Sequence, residues 1–506
     1  MSSEKSFDKF NVSKRRKVGE EQFAVECNLS IESGEEPQKV LSASAISNVD
    51  NLTSNNETTV NGKLTLNVIY LTNDNLVGSQ VSVCPWTAKV SGETTGYVYA
   101  TSKVVEKNVE SINGTNVKVV CILEVSVYEV SNCEINSISS QREDVCLKEK
   151  ELETTCLFTT SEQSFIEENS LTVKEKVKSV LSYQSGVILK SYSPGYNFVT
   201  LQGDIVTRLV YVVDDNRDKI CTTIVTNSFK QELEIEGVTK DDLLEAMANV
   251  NHSEVSVTID ENESDTAIKV NIPINAKVLV FRKNMVMTIS DLYSTQNKIN
   301  STTESYSENT LLGCDYFESK VEGNLVLSDD TLRVDKLLGV TGEGFVESNV
   351  YNQNGEITIE GVAFGSLVYL NDETGTINSV EVEFPFVVSE KAKYDDAELS
   401  VKITLTDIDA MVKRGREVFF DAKLKASVCY YEDKTNAVIT NIEFGEEINL
   451  HTHPIEVYFA SSGESLWEIA KELKVKDSFI LEQNPNLVDP LEKDEKIVLY
   501  FQKNKE

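Results

Sequence analysis

The histidines are the first residues to test for metal or acid–base chemistry, and this 506-residue sequence contains three of them. His451 and His453 flank one threonine ahead of Pro454, whereas His252 lies in an Asn-His-Ser segment. A zinc site built on the close pair would need further ligands from elsewhere in the chain. A plain linker is the simpler interpretation of residues 451–453, so we expect no metal site and no cofactor.

The nine cysteines are the second candidates for chemistry, as metal ligands, nucleophiles or disulfide partners. They are odd in number, and none forms a Cys-x-x-Cys pair. Several lie in apolar alternating segments, such as Cys121 beside Val120 and Cys429 beside Val428. We predict small buried thiols rather than disulfides or metal ligands for the whole set, which is Cys27, Cys84, Cys121, Cys133, Cys146, Cys156, Cys221, Cys314 and Cys429.

Sequence signatures of catalysis are absent. The chain has no phosphate-binding loop, zincin pair, nucleophile elbow or dinucleotide fingerprint. Acidic pairs such as Asp214-Asp215 and Asp329-Asp330 are most simply turns. We therefore expect no enzymatic activity. An enzyme acting on glycans would need a convergent acid/base pair, and nothing in the sequence marks one.

Charge and hydropathy limit the classes of partner. The net charge of -34 excludes a general affinity for nucleic acid or anionic membranes, because such a surface repels phosphate groups. The N-terminus has no apolar signal-peptide core, and no apolar run reaches the ~20 residues of a membrane span. We expect a cytoplasmic protein without a signal peptide. Residues 1–20 are predicted to be a disordered tail, and Lys14-Arg15-Arg16-Lys17 is either solvated there or a localisation patch.

A repeated pattern organises most of the chain. A glycine is followed eight positions later by a tyrosine in three alternating segments, at Gly62 and Tyr70, Gly203 and Tyr211, and Gly361 and Tyr369. A second segment ends in leucine 21 to 23 residues before each glycine, at Leu41, Leu181 and Leu338. Alternation between turn residues predicts strands. We predict β-rich repeat domains at 21–150, 151–300 and 301–450, each a sandwich or a partly open barrel.

Two local patterns qualify this prediction. Pro273 lies in a long alternating segment, so its strand is expected to be at an edge or to contain a bulge. Residues 239–247 are predicted to form a short helix, capped by Thr239.

The C-terminal residues 451–506 carry a different pattern, predicted as strand, turn, helix, helix and strand. Ser465 and Glu468 have the spacing of a capping box. Residues 466, 469, 470 and 473 are apolar and fall on one helix face. Pro485 ends the second helix. This part is predicted to be a small α+β domain.

Together these patterns resemble the clostridial spore-coat morphogenetic proteins, which carry tandem SPOCS repeats and a C-terminal LysM domain. The resemblance implies a mainly β chain of three repeat domains followed by a βααβ LysM domain. It also implies a non-enzymatic scaffold or adaptor at the forespore surface, in the mother-cell cytosol. Its expected partner is the ATPase that forms the basement layer of the coat, or another coat protein.

The LysM resemblance also implies a binding groove, which in that family usually holds an N-acetylglucosamine polymer. A fold role remains the alternative for each residue. The Pro-Gly turn of the family is replaced by Lys493-Asp494, so we expect the groove to dock a protein, with glycan binding weak or lost. The alternative function is a peptidoglycan-binding wall protein. The matching positions are Ser462, Gly463, Glu464, Ser465, Leu466, Trp467, Asn484, Pro485, Asn486 and Leu487.

Overall fold

A computed structural model describes most of the chain, and it is mainly β, as the sequence predicts. The strands in the described part form seven antiparallel sheets. Six of these sheets are associated in pairs along the chain, and the seventh lies in the C-terminal unit. The described residues are 6–31, 36–54, 56–139, 142–213, 219–261, 265–328, 331–341, 346–371, 373–448 and 453–501.

The first sheet pair packs around one apolar core. One sheet has the order β1-β6-β5 and the other has the order β2-β3-β4. Val25, Leu64 and Leu123 are among the buried residues that the two sheets contribute to this core. The strands are β1 Ser6–Ser30, β2 Pro37–Ser54, β3 Glu57–Thr72, β4 Val77–Ser91, β5 Tyr97–Asn113 and β6 Asn116–Ser139.

The second sheet pair has the same arrangement with one additional strand. One sheet is β8-β9-β10, and in the other β13 pairs with β7 on one side and with β11 and β12 on the other. A 3-10 turn, His252–Glu254, joins β11 to β12. The strands are β7 Val145–Val173, β8 Val177–Pro194, β9 Phe198–Val213, β10 Lys219–Glu234, β11 Leu243–Val250, β12 Ser256–Glu261 and β13 Thr266–Ser294.

The third sheet pair combines β14-β20-β19 with a sheet in which β17 pairs with β15, β16 and β18. Ile359, Phe384 and Leu424 lie in its buried core. The strands are β14 Asn297–Val326, β15 Lys336–Thr341, β16 Val346–Gln353, β17 Glu356–Asn371, β18 Thr376–Lys391, β19 Glu398–Lys413 and β20 Glu417–Glu447.

The three tyrosines of the sequence pattern lie in the middle strands β3, β9 and β17. Their partners across the ladder are residues of the upstream leucine segment, with Tyr70 opposite Val40, Tyr211 opposite Val180 and Tyr369 opposite Leu337. In each upstream segment the ladder shifts register immediately after this partner, and the skipped residue is Leu41, Leu181 or Leu338. A bulge leaves one residue unpaired and redirects its side chain.

These bulged leucines help to join the three sheet pairs. Leu41 and Leu181 are buried in one apolar cluster, and Leu338 packs against it. Val212 and Val368, from the middle strands of the second and third pairs, belong to the same cluster. Since burial of apolar side chains is the main source of stability, the sheet pairs are in stable mutual contact here.

The repeated glycines lie opposite aromatic residues of the neighbouring strand. Gly62 pairs with Trp86, Gly203 with Phe229 and Gly361 with Phe386. A Cβ atom on Gly62 would lie 2.3 Å from the Trp86 ring. Glycine therefore leaves the space that the ring of Trp86 occupies.

The predicted N-terminal tail differs from the structure. Residues 6–20 were expected to be disordered, but they form the first half of β1, which pairs with β6 along its length. Phe10 and Val12 are buried, and the Arg15 side chain is only 16 % exposed. The polar local composition did not reveal this strand because its partner lies more than 100 residues away in sequence.

The strands β7 and β14 extend across residues 151 and 301, where the sequence analysis placed domain boundaries. Two further predictions from the sequence need correction. Residues 243–247, in the second half of the predicted helix, belong to β11 because they pair with β13. Pro273 lies in a strand with neighbours on both sides, in the gap between β11 and β12. There its carbonyl accepts a hydrogen bond from the Asn251 N–H, so the missing proline donor disrupts no ladder bond.

The C-terminal unit contains a two-stranded antiparallel sheet and two helices in the order β21, α1, α2 and β22. Ile469, Ile480 and Ile497 are fully buried in its core. Within the described residues, no helix is long and apolar enough to cross a membrane. The elements are β21 Ile455–Ala460, α1 Leu466–Leu473, α2 Asp477–Gln483 and β22 Glu495–Tyr500.

Candidate functional site

The start of α1 is fixed by its cap. The Ser465 side chain accepts a hydrogen bond from the Glu468 N–H, and the Glu468 carboxylate accepts one from the Ser465 N–H at 2.9 Å. This is the capping box that the sequence predicts. Hydrogen bonding to the Ser465 backbone and hydroxyl holds the pKa of Glu468 below its usual range. The cap thereby satisfies two backbone N–H groups that would otherwise lack a partner at the start of the helix.

The structure brings into contact the two loops that carry most of the predicted groove residues, at 461–466 and 484–491. The Gly463 N–H donates to the Leu491 carbonyl at 2.8 Å, and the Leu491 N–H donates to the Glu464 carbonyl at 2.9 Å. The Leu466 N–H donates to the Asp489 carboxylate at 2.9 Å. These bonds hold the two loops side by side.

The predicted groove residues divide into an exposed rim and a structural group. The rim consists of Ser462, Gly463, Pro485 and Asn486, which are exposed, whereas Glu464 and Ser465 are half-buried. Leu466 is buried in the core of the unit.

Asn484 and Leu487 belong to the structural group. The Asn484 side chain donates to the Val498 carbonyl at 3.1 Å and accepts from the Val498 N–H at 3.2 Å, which ties the second loop to β22. Leu487 is half-buried and packs against the same core as Leu466. Within the predicted groove set, the rim residues are therefore the exposed ones.

The loop at residues 493–494, where the sequence departs from the LysM pattern, contributes a polar side chain to the rim. The Ser462 N–H donates to the Asp494 carboxylate at 2.9 Å, and the Ser462 hydroxyl donates to the Glu492 carbonyl at 3.0 Å. The aspartate thus fixes the first loop by a side-chain bond. The sequence analysis identified the departure but not this contact.

Trp467 contacts β13 of the second sheet pair. Its ring packs edge-on against Tyr293, with centroids 5.0 Å apart, and its Nε1–H donates to the Asp291 carboxylate at 2.9 Å. Lys471, one turn later, donates to the same carboxylate at 2.6 Å. The Tyr293 hydroxyl donates to the Val475 carbonyl at 2.7 Å. These contacts attach α1 to β13.

Asp291 is the electrostatic centre of this attachment. Burial alone would raise the pKa of Asp291, but hydrogen bonds from Lys471 and Trp467 outweigh burial and hold that pKa below its usual range. The ionised carboxylate is therefore favoured in the folded chain. Neither Asp291 nor Tyr293 could be assigned to the site from the sequence, since both are more than 170 residues from Trp467.

An exposed apolar strip lies on the outer face of the β21–β22 sheet, and the sequence analysis did not single it out. Phe459 is 76 % exposed and Tyr500 is 60 % exposed. Ile455 and Val457 complete the strip, because alternate residues of β21 share a face and Ile455 pairs with Tyr500. Apolar residues at 455, 457 and 459, alternating with Glu456 and Tyr458, were the available signal.

The candidate residues for metal or thiol chemistry do not converge. No group of three or more potential metal ligands is present among the described residues. His453 is exposed, while His451, Asp214, Asp215 and the pair at 329–330 lie outside the described residues.

All the cysteines are free thiols. The prediction of burial is correct for Cys27, Cys121 and Cys429 and wrong for Cys133, which is exposed. The other cysteines are half-buried.

The C-terminal unit thus presents four exposed loop residues from the predicted groove set and an apolar strip on the adjoining sheet. Comparison with known proteins gives no assignment for it, since no family model, curated protein or solved structure matches this chain.

Proposed function

We propose that this chain is a non-enzymatic scaffold of the spore coat, which docks to a coat morphogenetic protein through a LysM-type C-terminal unit. The three sheet pairs are taken as copies of one SPOCS-type repeat. Support comes from the equivalent positions of Tyr70, Tyr211 and Tyr369. Each tyrosine pairs with a residue of the neighbouring strand, and the next residue of that strand is a bulged leucine. Residues 455–501 are taken as the LysM domain, on the basis of their strand–helix–helix–strand order.

The observation that carries the docking proposal is the exposed apolar strip Ile455, Val457, Phe459 and Tyr500. Contiguous apolar surface on a protein commonly marks an interaction site. Aromatic side chains supply much of the energy of protein interfaces, and this strip contains two of them. A protein partner with a complementary apolar surface fits the strip better than a soluble polar ligand does.

A scaffold must also present its docking surface in a defined position. Clusters of buried side chains drawn from all three sheet pairs, such as Tyr99, Phe281 and Tyr431 in one of them, connect the pairs to one another. Trp467 and Lys471 connect the C-terminal unit to β13. These contacts support a role in which the unit is held against the repeats.

The proposed partner is the ATPase that forms the basement layer of the coat, or another coat protein. The proposed location is the mother-cell cytosol at the forespore surface. Free thiols at all nine cysteines agree with a reducing compartment. An excess of acidic residues, with a net charge of -34, makes a basic surface on the partner electrostatically favourable.

Binding of peptidoglycan or another N-acetylglucosamine polymer is the second candidate function. It is favoured by the exposed rim of Ser462, Gly463, Pro485 and Asn486, which lies where LysM domains bind glycans. Under this alternative the chain would be a wall-binding protein.

A binding experiment with the full chain separates the two functions. The immobilised protein is presented in turn with the purified coat ATPase and with N-acetylglucosamine oligomers. Replacement of Phe459 by Ala should weaken protein binding by about 1–3 kcal/mol, as expected for an aromatic anchor. Val387→Ala is the matched control, because Val387 is an exposed apolar residue of β18, outside the C-terminal unit.

The outcomes are distinct. Binding to the ATPase that depends on Phe459 and not on Val387 supports the scaffold. Tight glycan binding without ATPase binding would replace the scaffold by the wall-binding function. A fluorescent fusion followed through growth and sporulation provides a second readout, since the scaffold should surround the forespore.

A further inference from the structure

A cavity of about 170 Å³ lies where the three sheet pairs meet. Gln184 of β8 and Arg208 of β9 form one wall, and Thr404 and Thr406 of β19 face them. Ile46 of β2 and His252 of the 3-10 turn complete the lining. The cavity therefore exists only when all three pairs are assembled.

The lining is unusual for so acidic a chain. None of the described residues that line the cavity is acidic, although the chain carries 82 aspartates and glutamates against 48 lysines and arginines. The polar groups are a guanidinium, an imidazole, an amide and hydroxyls, all of which can donate hydrogen bonds. Such a lining is complementary to a negatively charged ligand.

The register of the β8–β9 ladder places the side chains of Gln184 and Arg208 side by side. Gln184 lies directly across the β8–β9 ladder from Arg208, so both side chains are on the same face of the sheet. The Nε2 atom of Gln184 is shielded and has no hydrogen-bond partner among the described residues. A buried donor without a partner is destabilising, and an acceptor placed in the cavity would satisfy it.

The cationic groups around the cavity are also disfavoured in their charged forms. Burial lowers the pKa of Arg208 to about 10. Burial, and then the neighbouring Lys402, lower the pKa of His252 to about 4. The Lys402 ammonium donates to the Ala248 carbonyl and the Asn249 side chain, both neutral acceptors. At neutral pH Arg208 keeps its charge and His252 is neutral, so a bound anion would stabilise the buried guanidinium and could accept a hydrogen bond from the imidazole.

We propose that the cavity between the three sheet pairs is a binding site for a small oxyanion such as phosphate or sulfate. A water molecule occupies about 30 Å³ in the liquid, so the volume suffices for a tetrahedral oxyanion with bound water and is too small for a nucleotide. Arg208 and Gln184 would bind adjacent oxygens of the anion, and Thr404 would donate from the opposite wall. The anion would link the second and third sheet pairs. This inference is independent of the proposed coat function.

The test uses calorimetric titration of the full chain with inorganic phosphate, together with melting in phosphate and in chloride at equal ionic strength. Arg208→Gln removes the main charge. Gln184→Glu is the more informative variant, because it places a carboxylate beside Arg208 in a side chain of the same size. Lys230→Gln, at an exposed lysine of β10 in the same sheet, is the control for a simple loss of charge.

Saturable binding of one phosphate is expected, with a higher melting temperature in phosphate than in chloride. Gln184→Glu should weaken phosphate binding about tenfold or more and keep at least the wild-type melting temperature in chloride. Lys230→Gln should bind as the wild type does. The proposal is wrong if phosphate gives no saturable binding, if Gln184→Glu binds as tightly as the wild type, or if Lys230→Gln loses as much affinity.

Discussion

Trp467→Phe should weaken the attachment of the C-terminal unit to β13 and leave the rest of the fold unchanged. The variant removes the Nε1–H that donates to Asp291 at 2.9 Å, and it keeps an aromatic ring against Tyr293. A hydrogen bond to a charged group contributes ~1.5–3 kcal/mol, which is the expected loss. Trp467→Ala also loses the edge-on ring contact, so its expected loss is about 2–4.5 kcal/mol.

Lys471 does not compensate for the lost hydrogen bond of Trp467. It keeps its ion pair with Asp291 in the variant, but the two side chains are 41 % and 36 % exposed. Exposed ion pairs contribute only ~0.2–1 kcal/mol, so Lys471 cannot compensate for the lost hydrogen bond. A cycle with Asp291→Asn should show coupling between residues 467 and 291, because they are in direct contact.

Native-state hydrogen exchange of the full chain measures this change. A unit of this size is marginally stable alone, so its opening free energy should include the contacts with β13. Core amides of α1, such as those of Ile469 and Ala470, should exchange faster in Trp467→Phe, while amides of β9 and β17 keep their rates.

Trp86→Phe is the matched control. The Nε1 of Trp86 is buried without a partner among the described residues, and this tryptophan lies in the first sheet pair. The same substitution there removes no hydrogen bond from the attachment. Unchanged α1 exchange in Trp467→Phe, or an equal increase in all sheets, would refute the assignment of Trp467 to the attachment.

The remaining predictions concern the sheet pairs. Glu245→Gln should lower the free energy of unfolding in urea by about 3–5 kcal/mol, because it leaves Arg15 buried without its ion-pair partner. Adding Arg15→Met to this variant should restore part of the loss. Gly62→Ala should lower the melting temperature, because its Cβ would clash with the Asn48 carbonyl and the Trp86 ring at a cost of ~1–3 kcal/mol. Gly445→Ala is the control, since a Cβ there meets atoms no closer than 3.5 Å. The free energy of unfolding should fall as the pH drops from about 6.5 to about 4. In this range unfolded His252 takes up a proton that the folded residue, with its pKa lowered to about 4, does not bind. His252→Asn should reduce this pH dependence in urea titrations at several pH values.

The sequence by itself determined the mainly β class and several local features. Strand alternation is a property of neighbouring residues, so the segments containing Tyr70, Tyr211 and Tyr369 could be recognised as strands without knowing their partners. The capping box of Ser465 and Glu468 is equally local, since its two residues are three positions apart. Features of this kind follow from short-range geometry alone.

Tertiary structure decided everything that depends on a distant partner. Residues 6–20 are polar, yet they form a strand because β6 provides a complete ladder. Residues 243–247 lie in a segment that was predicted to be helical, but pairing with β13 overrides that local preference. Trp467, which the sequence analysis placed at a binding groove, contacts Tyr293. Arg208 lines a cavity that three separate parts of the chain enclose. Contacts across hundreds of residues leave no periodic trace in the sequence, because the favourable energy arises only when the sheets are assembled.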